Sequence, residues 1–244
     1  MTDMTRLDDL FFNRTGMDQG RVEGIVGDAL QGADDGELFL EYRQSESFSF
    51  DDGQLKSASF DNTQGFGLRA VSGEATGYGH ASDLSEAAIR RAADTVKAVR
   101  SGASGQIDVA PAPTNQQLYT DENPLGGVDF AAKVKLLQDI DEYARSKDSR
   151  VRQVMASLTG SWQAVQIIRA DGARVGDIRP LVRLSVSVMV EDGDKMETGS
   201  HGSGGRTAYD IMLEPDTWRY HVDEALRQAL VLLDAAPAPA GEMQ

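Results

Sequence analysis

Residues 162–206 read WQAVQIIRADGARVGDIRPLVRLSVSVMVEDGDKMETGSHGSGGR, and this stretch decides the fold. Within it, apolar residues occupy every second position from Val182 to Val190. Such alternation, rich in β-branched side chains, predicts an antiparallel strand with one face on a core. Asp171-Gly172 and Asp192-Gly193 flank the strand as hairpin turn signals, because glycine adopts a positive φ without a steric clash. We therefore expect a meander, ending in a run (199–205) too rich in glycine for an ordinary strand.

The rest of the chain repeats this plan. Asp18 is placed to cap a helix, and Asp83 followed by Glu86 is a helix-start signature. The predicted helices cover 3–13, 18–30, 83–100, 129–146 and 215–233, and about five short strands are predicted at 37–42, 45–50, 55–60, 65–71 and 76–80. Helices with one apolar face, packed over antiparallel sheets with one apolar face, predict an α+β fold of two two-layer units. Each unit is an antiparallel β-meander covered by helices, and the shared order of elements suggests a structural duplication.

A region rich in proline and glycine separates the two halves. Its composition is typical of a connection between folded units. The predicted organisation is a first α+β domain over 1–105, a linker over 106–127, a second α+β domain over 128–234 and a tail over 235–244.

Composition narrows the range of functions. A formal net charge of −15 argues against a nucleic-acid groove, since phosphate binding needs clustered Lys and Arg. The absence of cysteine removes disulfides, thiolate metal sites and Cys nucleophiles. The acidic start MTDMTRLDDL does not resemble a signal peptide, and no apolar run approaches a membrane span. We expect a cytoplasmic protein that binds neither nucleic acid nor a membrane.

Histidine offers the first candidates for chemistry. The three histidines are His80, His201 and His221, and no two are spaced as a zinc-binding pair on one helix face. His221 and Glu224 are three apart on the last predicted helix and offer only two metal ligands, so a solvated helix face is the favoured interpretation. A Ser–His–Asp set is not indicated either, because nothing marks a nucleophile elbow. The residues alone predict a soluble α+β protein without an evident active site.

The run GSHGSGGR over 199–206 is the second candidate. Closely spaced glycines let a backbone approach a ligand and expose several N–H groups. The run lacks the GK[ST] ending of a phosphate loop. Two interpretations stay open: a flexible hairpin arm or irregular strand end, or a surface against which a peptide backbone lies. On the second interpretation, the peptide-contact residues are His201, Gly202, Gly204, Gly205 and Arg206.

Several phrases resemble the TldD/PmbA metallopeptidase family, whose members have long been named modulators of DNA gyrase. GFGLRAVSGEATGYGHASDL (65–84) is similar to the first domain of that family. LYTDENPL (118–125), SRVRQVMASLTGSWQ (149–163), DIRPLVRLSVSVMVEDG (177–193) and the GSGGR run are similar to its catalytic, TldD-type branch. The resemblance covers nearly the whole chain.

The resemblance implies a zinc metallopeptidase that forms a heterodimer with a PmbA/TldE-type subunit. Such enzymes trim peptides and degrade unfolded or antitoxin-like peptides. It also implies a metal site made of a helix-borne HExxxH motif and a distant cysteine, and this sequence contains neither. In the family the motif follows shortly after the phrase matched here by 235–244.

We therefore expect this chain to be the N-terminal, substrate-recognition and subunit-contact portion of such an enzyme. It is expected to be inactive alone, with no cofactor of its own and with zinc only in the full-length family member. The alternative is a non-catalytic binding or regulatory module that acts through a PmbA-like partner or a gyrase/antitoxin system.

Overall fold

A computed structural model describes residues 4–97, 118–236 and 241. Its six strands form one sheet in the order β3-β2-β1-β4-β5-β6. The strands are β1 (Asp35–Asp51), β2 (Gln54–Ser72), β3 (Ala75–Ala81), β4 (Val151–Arg169), β5 (Arg174–Asp192) and β6 (Lys195–Gly205). Together with the helices they confirm the predicted antiparallel α+β fold.

The helices also follow the sequence prediction closely. They are α1 (Met4–Asp8), which continues as a π-helical turn (Asp9–Asn13), α2 (Gln19–Leu30), α3 (Glu86–Lys97), α4 (Phe130–Lys147), α5 (Asp210–Leu213) and α6 (Pro215–Leu233), with a 3-10 turn at Pro124–Gly126. The last residues of the predicted 83–100 helix lie outside the described residues. None of the helices in the described part combines the length and hydropathy needed to cross a bilayer.

A side-chain cap begins α2 as its sequence suggests, whereas the cap of α3 differs from the prediction. Asp18 accepts a hydrogen bond from the Arg21 backbone N–H (2.8 Å) at the start of α2. At α3, however, Ser85 is the cap: its Oγ accepts from the Ala88 backbone N–H (3.2 Å). Asp83 instead accepts a hydrogen bond from the Ser85 hydroxyl (2.8 Å). Asp83 therefore orients the capping residue and is not the cap itself, which corrects the predicted helix start.

The strands are longer than their sequence pattern indicates. The five strands predicted before residue 81 are three, because 37–42 and 45–50 lie in β1 and 55–60 and 65–71 lie in β2. Backbone pairing does not depend on side-chain polarity, so a polar interval does not end a strand whose partner continues beside it. Asp52 and Gly53, with φ of 50° and 74°, make the tight turn between the two strands. Gly172 and Gly193, with φ of 79° and 61°, confirm the two predicted turns of the second meander.

Two compact units can be distinguished by their internal contacts. Unit one comprises 1–44, 61–121 and 162–179, and unit two comprises 45–60, 122–161 and 180–244, each taken over its described residues. The sequential division into domains at 106–127 stays a prediction, and 106–117 lies outside the described residues. At the described end of that segment, Leu125 is buried in the core of unit two.

Unit one has its own apolar core. Leu38, Leu40 and Leu68 of the strands are fully buried together with Val26 of α2 and Ile89 of α3. The core therefore forms between one face of the strands and the helices that cover it.

Unit two is built around the alternating strand that opened the sequence. Val182, Leu184, Val186, Val188 and Val190 of β5 are all buried, as the period-two pattern predicts. They share a core with apolar residues of α4 and α6. The buried Gly199 of β6 shows how closely α6 packs, because a Cβ at this position would overlap the Ala225 carbonyl oxygen. This unit carries the candidate site.

Candidate functional site

The glycine-rich run lies in a regular strand at the end of the sheet. β6 pairs antiparallel with β5 along its whole length, from Asp192↔Lys195 to Val182↔Gly205. The expectation that 199–205 is too rich in glycine for an ordinary strand is therefore wrong. The backbone N–H and C=O groups of β5 pair with those of β6 whatever the side chains are. β6 ends the strand order, so it is an edge strand within the described part of the chain.

Strand alternation divides the predicted peptide-contact residues between two faces. His201 lies opposite the buried Val186, on the face that α6 covers. Gly202 lies opposite Ser185, on the other face. Successive residues of a strand point to opposite faces, so Gly204 shares the face of Gly202, and Gly205 shares that of His201. Arg206 follows the strand and is exposed. The structure thus does not gather the five residues on one surface.

Two histidines and a serine meet between β6 and α6. The Nδ1 atoms of His201 and His221 are 2.9 Å apart, and His221 Nε2 is 2.7 Å from Ser203 Oγ. His221 is only 3% exposed, so both of its ring nitrogens are satisfied inside the protein. The favoured interpretation of His221 as part of a solvated helix face is wrong. We call these three residues the histidine relay.

The sequence contains a signal for this burial that the spacing argument overlooked. His221 lies three residues after the buried Trp218 and four before the buried Ala225. Positions three and four apart share one helix face, so His221 falls on the apolar stripe of α6. His201 and Ser203 are two apart on a strand and therefore share a face. The contact between β6 and α6 could not be predicted from these local patterns.

The environment lowers the pKa of His221. Burial is the larger cause, because it disfavours the charged imidazolium, and the nearby charge of His201 acts in the same direction. On the next turn of α6, hydrogen bonds from Arg227 and Gln228 lower the pKa of Glu224 to about 2. Near neutral pH the relay therefore contains a neutral His221, and Glu224, which lies outside the relay, is ionised.

The relay has part of the geometry of an activated nucleophile. A hydroxyl bonded to a histidine that is itself oriented by a third group is the usual arrangement. Here the third group is His201, which in its charged form opposes an imidazolium at His221, whereas the carboxylate of a catalytic triad stabilises one. The relay is therefore suited to joining α6 to β6 and not to acyl transfer.

A groove of about 580 Å³ lies within unit two. Its lining includes Asp51, Lys56, Arg183, Ser185 and Gly202. Arg183 Nε donates to Ser185 Oγ (3.1 Å), so part of its polar lining is already ordered. The groove provides both charge signs and hydroxyl groups, which suits a polar ligand such as a peptide backbone.

Two family models match this chain. One, described as PmbA/TldA metallopeptidase domain 1, matches residues 36–100, and the other, described as PmbA/TldA metallopeptidase central domain, matches residues 123–233. The chain belongs to the PmbA/TldD metallopeptidase family. The central-domain match contains the histidine relay and most of the lining of the groove.

Curated members of the family are similar over most of the chain. The metalloprotease TldD homolog of Haemophilus influenzae is 40% identical over 215 residues, which are 85% of this chain and 44% of that protein. The TldD homolog of Buchnera aphidicola subsp. Schizaphis graminum is 36% identical over 216 residues, with the same two shares. The chain therefore spans less than half the length of these relatives.

Solved structures of the family share the fold. A protein from Bacteroides thetaiotaomicron, named as a modulator of DNA gyrase, superposes with a TM-score of 0.72 at 14% identity, over 90% of this chain and 51% of that one. TldE from Thermococcus kodakarensis gives a TM-score of 0.67 at 13% identity, over 86% and 47%. The fold of the family is thus retained at low identity.

The family name implies a metal, and the side chains in the described part of the chain are not arranged to hold one. A catalytic zinc takes three protein ligands. Over residues 4–97, 118–236 and 241, no group of three or more His, Cys, Asp or Glu side chains is placed to hold a metal ion. No step of a reaction is therefore assigned to a metal in this chain.

Proposed function

We propose that this chain is the substrate-recognition and subunit-contact portion of a TldD-like zinc metallopeptidase. The main support is the identity of 34–40% to TldD homologs over 85% of the chain. The HExxxH motif expected of the family is not in these 244 residues, so we propose that the chain does not cleave peptides alone. Peptide trimming and degradation of unfolded or antitoxin-like peptides belong, on this proposal, to the whole enzyme.

The proposed substrate contact is the outer edge of β6 with the glycine-rich run. Within the described residues β6 pairs only with β5, which leaves one edge of the strand for hydrogen bonds to another chain. An extended peptide that adds to an edge is bound through its main chain, largely independent of its sequence. Gly202 and Gly204 present no side chain on their face, so a peptide backbone can lie close to them.

The proposed subunit contact uses exposed apolar side chains of α6. Tyr220, Val231 and Leu232 are about half or more exposed, although a protein normally buries such groups. Large apolar side chains exposed along one helix are the kind of surface that a protein partner covers. The partner we propose is a PmbA/TldE-type subunit.

Recognition of the peptide backbone can be tested by changing the peptide and keeping the protein unchanged. Binding of a fluorescein-labelled unstructured peptide to the 244-residue chain is measured by anisotropy, beside a scrambled version and a version N-methylated at alternate residues. We expect the scrambled peptide to bind equally and the N-methylated one to bind at least about tenfold more weakly, because it cannot donate to the strand edge. Equal binding of all three peptides would refute main-chain recognition.

Activity and subunit contact need separate measurements. The purified chain is expected to bind no stoichiometric zinc by elemental analysis, and chelator-sensitive proteolysis by the chain alone would contradict the proposal.

Co-expression with a TldE-type protein is expected to give a complex that Val231→Asp weakens. The matched control is Val175→Asp, at an exposed position of unit one.

A further inference from the structure

The histidine relay joins an edge strand to the helix that covers it. His201 and Ser203 come from β6, and His221 comes from α6, with contacts of 2.9 and 2.7 Å. Both ring nitrogens of His221 bond to β6, so the imidazole spans two residues of the strand. The same helix packs against the strand at Gly199, where the Ala225 carbonyl leaves no room for a Cβ. The relay therefore adds polar contacts to a close apolar packing.

The Nδ1–Nδ1 contact requires one proton between two nitrogens. One ring donates and the other accepts, and each neutral imidazole has one nitrogen of each kind. If His221 donates from Nδ1, its Nε2 accepts from the Ser203 hydroxyl. If His201 donates, His221 Nε2–H donates to Ser203, whose hydroxyl is then directed to Met212 Sδ, 3.8 Å away. All bonds of the relay are satisfied in both arrangements.

A single positive charge can also be accommodated, but a second cannot. An imidazolium at His201 still donates from Nδ1 to a neutral His221. When both rings are charged, two donors face each other at 2.9 Å and no acceptor remains between them. The contact must then break, and like charges this close also repel.

The Glu224 carboxylate is attracted to a charge on His201, which is one cause of its lowered pKa, so it favours the first proton. At His221, where the second proton would go, burial and the charge of His201 both oppose protonation. The titratable or charged side chains of α6 near the relay are Tyr220, whose ring meets His201 edge-on, Glu224 and Arg227. Arg227 holds Glu224 by two hydrogen bonds of 2.8 Å. From β5 the relay is faced by Leu184 and Val186, opposite Ser203 and His201, and from α5 by Met212, all uncharged.

We propose that His201, His221 and Ser203 form a proton-controlled clamp, which holds β6 against α6 with up to one added proton and releases it with two. Burial of His221 raises the cost of the second proton, so release belongs to pH values below the ordinary titration range of histidine. If β6 receives the peptide as proposed above, the clamp makes peptide binding weaken on acidification. That consequence rests on the proposed function, whereas the clamp itself does not.

The three histidines of the chain allow a direct test by long-range ¹H–¹⁵N NMR. His80 is exposed on β3, where it stacks on Tyr78, and serves as the internal reference. We expect His201 and His221 to take up their two protons in coupled steps, with one member charged well before the other. Independent single-step titration of His201 and His221 would overturn the clamp.

Amide hydrogen exchange measures the release itself. After correction for the intrinsic rate, exchange at 199–205 is expected to rise about tenfold relative to β1 between pH 7 and pH 5, the factor that one pKa unit represents. Ser203→Ala removes one contact of His221 and is expected to raise this exchange already at pH 7. Ser200→Ala is the matched control, because Ser200 bonds to Ser187 and not to the relay.

The two proposals fail in distinguishable ways. Exchange at 199–205 that is independent of pH refutes the clamp, whether or not peptides bind. A clamp that titrates as described, with no peptide bound at any pH, refutes only the proposed substrate edge.

Discussion

Lys133 and Glu46 form a buried ion pair in unit two, with Nζ and Oε1 2.6 Å apart and side chains 3% and 9% exposed. Lys133 also donates to the Leu125 carbonyl (2.9 Å) and lies 4.8 Å from the centre of the Tyr209 ring. Burial, and secondarily the charge of Glu46, raises the pKa of Tyr209. The pair joins α4 to β1 in a place where both side chains are largely shielded from water.

Breaking this pair on one side is expected to be costly. Lys133→Met leaves the Glu46 carboxylate buried without its partner, and such changes destabilise by about 3–5 kcal/mol. The double variant Glu46→Gln/Lys133→Met removes both charges and is expected to recover most of the loss. Urea denaturation of the three proteins measures the free energies of unfolding. A double variant as unstable as Lys133→Met would mean that packing, and not charge, is lost.

Stability is expected to fall on acidification through His221. Because the folded-state pKa of His221 lies below that of an exposed histidine, the unfolded chain binds more protons once the pH drops below about 6.5. The stability that the neutral His221 contributes is fully present above that pH and is lost as the pH falls toward the folded-state pKa. Each pKa unit of difference contributes about 1.4 kcal/mol.

Substitution of single histidines isolates the contribution of His221 to the pH dependence of stability. The slope of unfolding free energy against pH between 7 and 5 is expected to flatten more in His221→Gln than in the control His80→Gln, since His80 is exposed and lies outside the relay. The comparison uses slopes, so a general loss of stability in either variant does not affect it. An equal slope in His221→Gln and the parent chain would contradict the assignment.

The α3 cap gives a test of the corrected helix start. Ser85→Ala removes the acceptor for the Ala88 N–H and is expected to cost about 1 kcal/mol, as other cap replacements do. Asp83→Ala removes only the group that orients the Ser85 hydroxyl and is expected to cost less. Thermal unfolding of both variants gives the comparison. The reverse order of stabilities would restore Asp83 as the cap.

Much of the fold followed from local patterns, whereas the relay did not. The alternation over 182–190 indicated β5 because one face of that strand meets a core, and Gly172 and Gly193 marked its turns by their need for positive φ. These are properties of neighbours in sequence. The full lengths of β1 and β2 depend on backbone pairing with a partner strand, so side-chain polarity at 43–47 gave a false boundary.

The candidate site depends on contacts between distant residues. His221 is twenty positions from His201, and only the docking of α6 on β6 brings their rings together. The glycine-rich run was correctly singled out, but its meaning differs from residue to residue. Gly199 allows the helix to approach, whereas Gly202 lies on the groove side of the strand.

Two glycines of β6 provide a matched pair for the packing argument. A Cβ at Gly199 would overlap the Ala225 carbonyl oxygen of α6, and backbone cannot move aside as a flexible side chain can. At Gly205 a new Cβ would lie 3.8 Å from Thr207 Cγ2, which is an ordinary contact. Gly199→Ala is therefore expected to destabilise the chain by about 1–3 kcal/mol, as overpacking does, and Gly205→Ala by less than about 0.5 kcal/mol.

The same pair reports on the relay. Moving α6 away from β6 at residue 199 is expected to lengthen the His201–His221 contact and to weaken the coupling between the NMR titrations of these two histidines. Gly205→Ala leaves α6 in place, so its histidines are expected to titrate as in the parent chain. If Gly199→Ala destabilises the chain while the coupled titration of His201 and His221 is unchanged, the helix does not hold the relay through its close approach at Gly199.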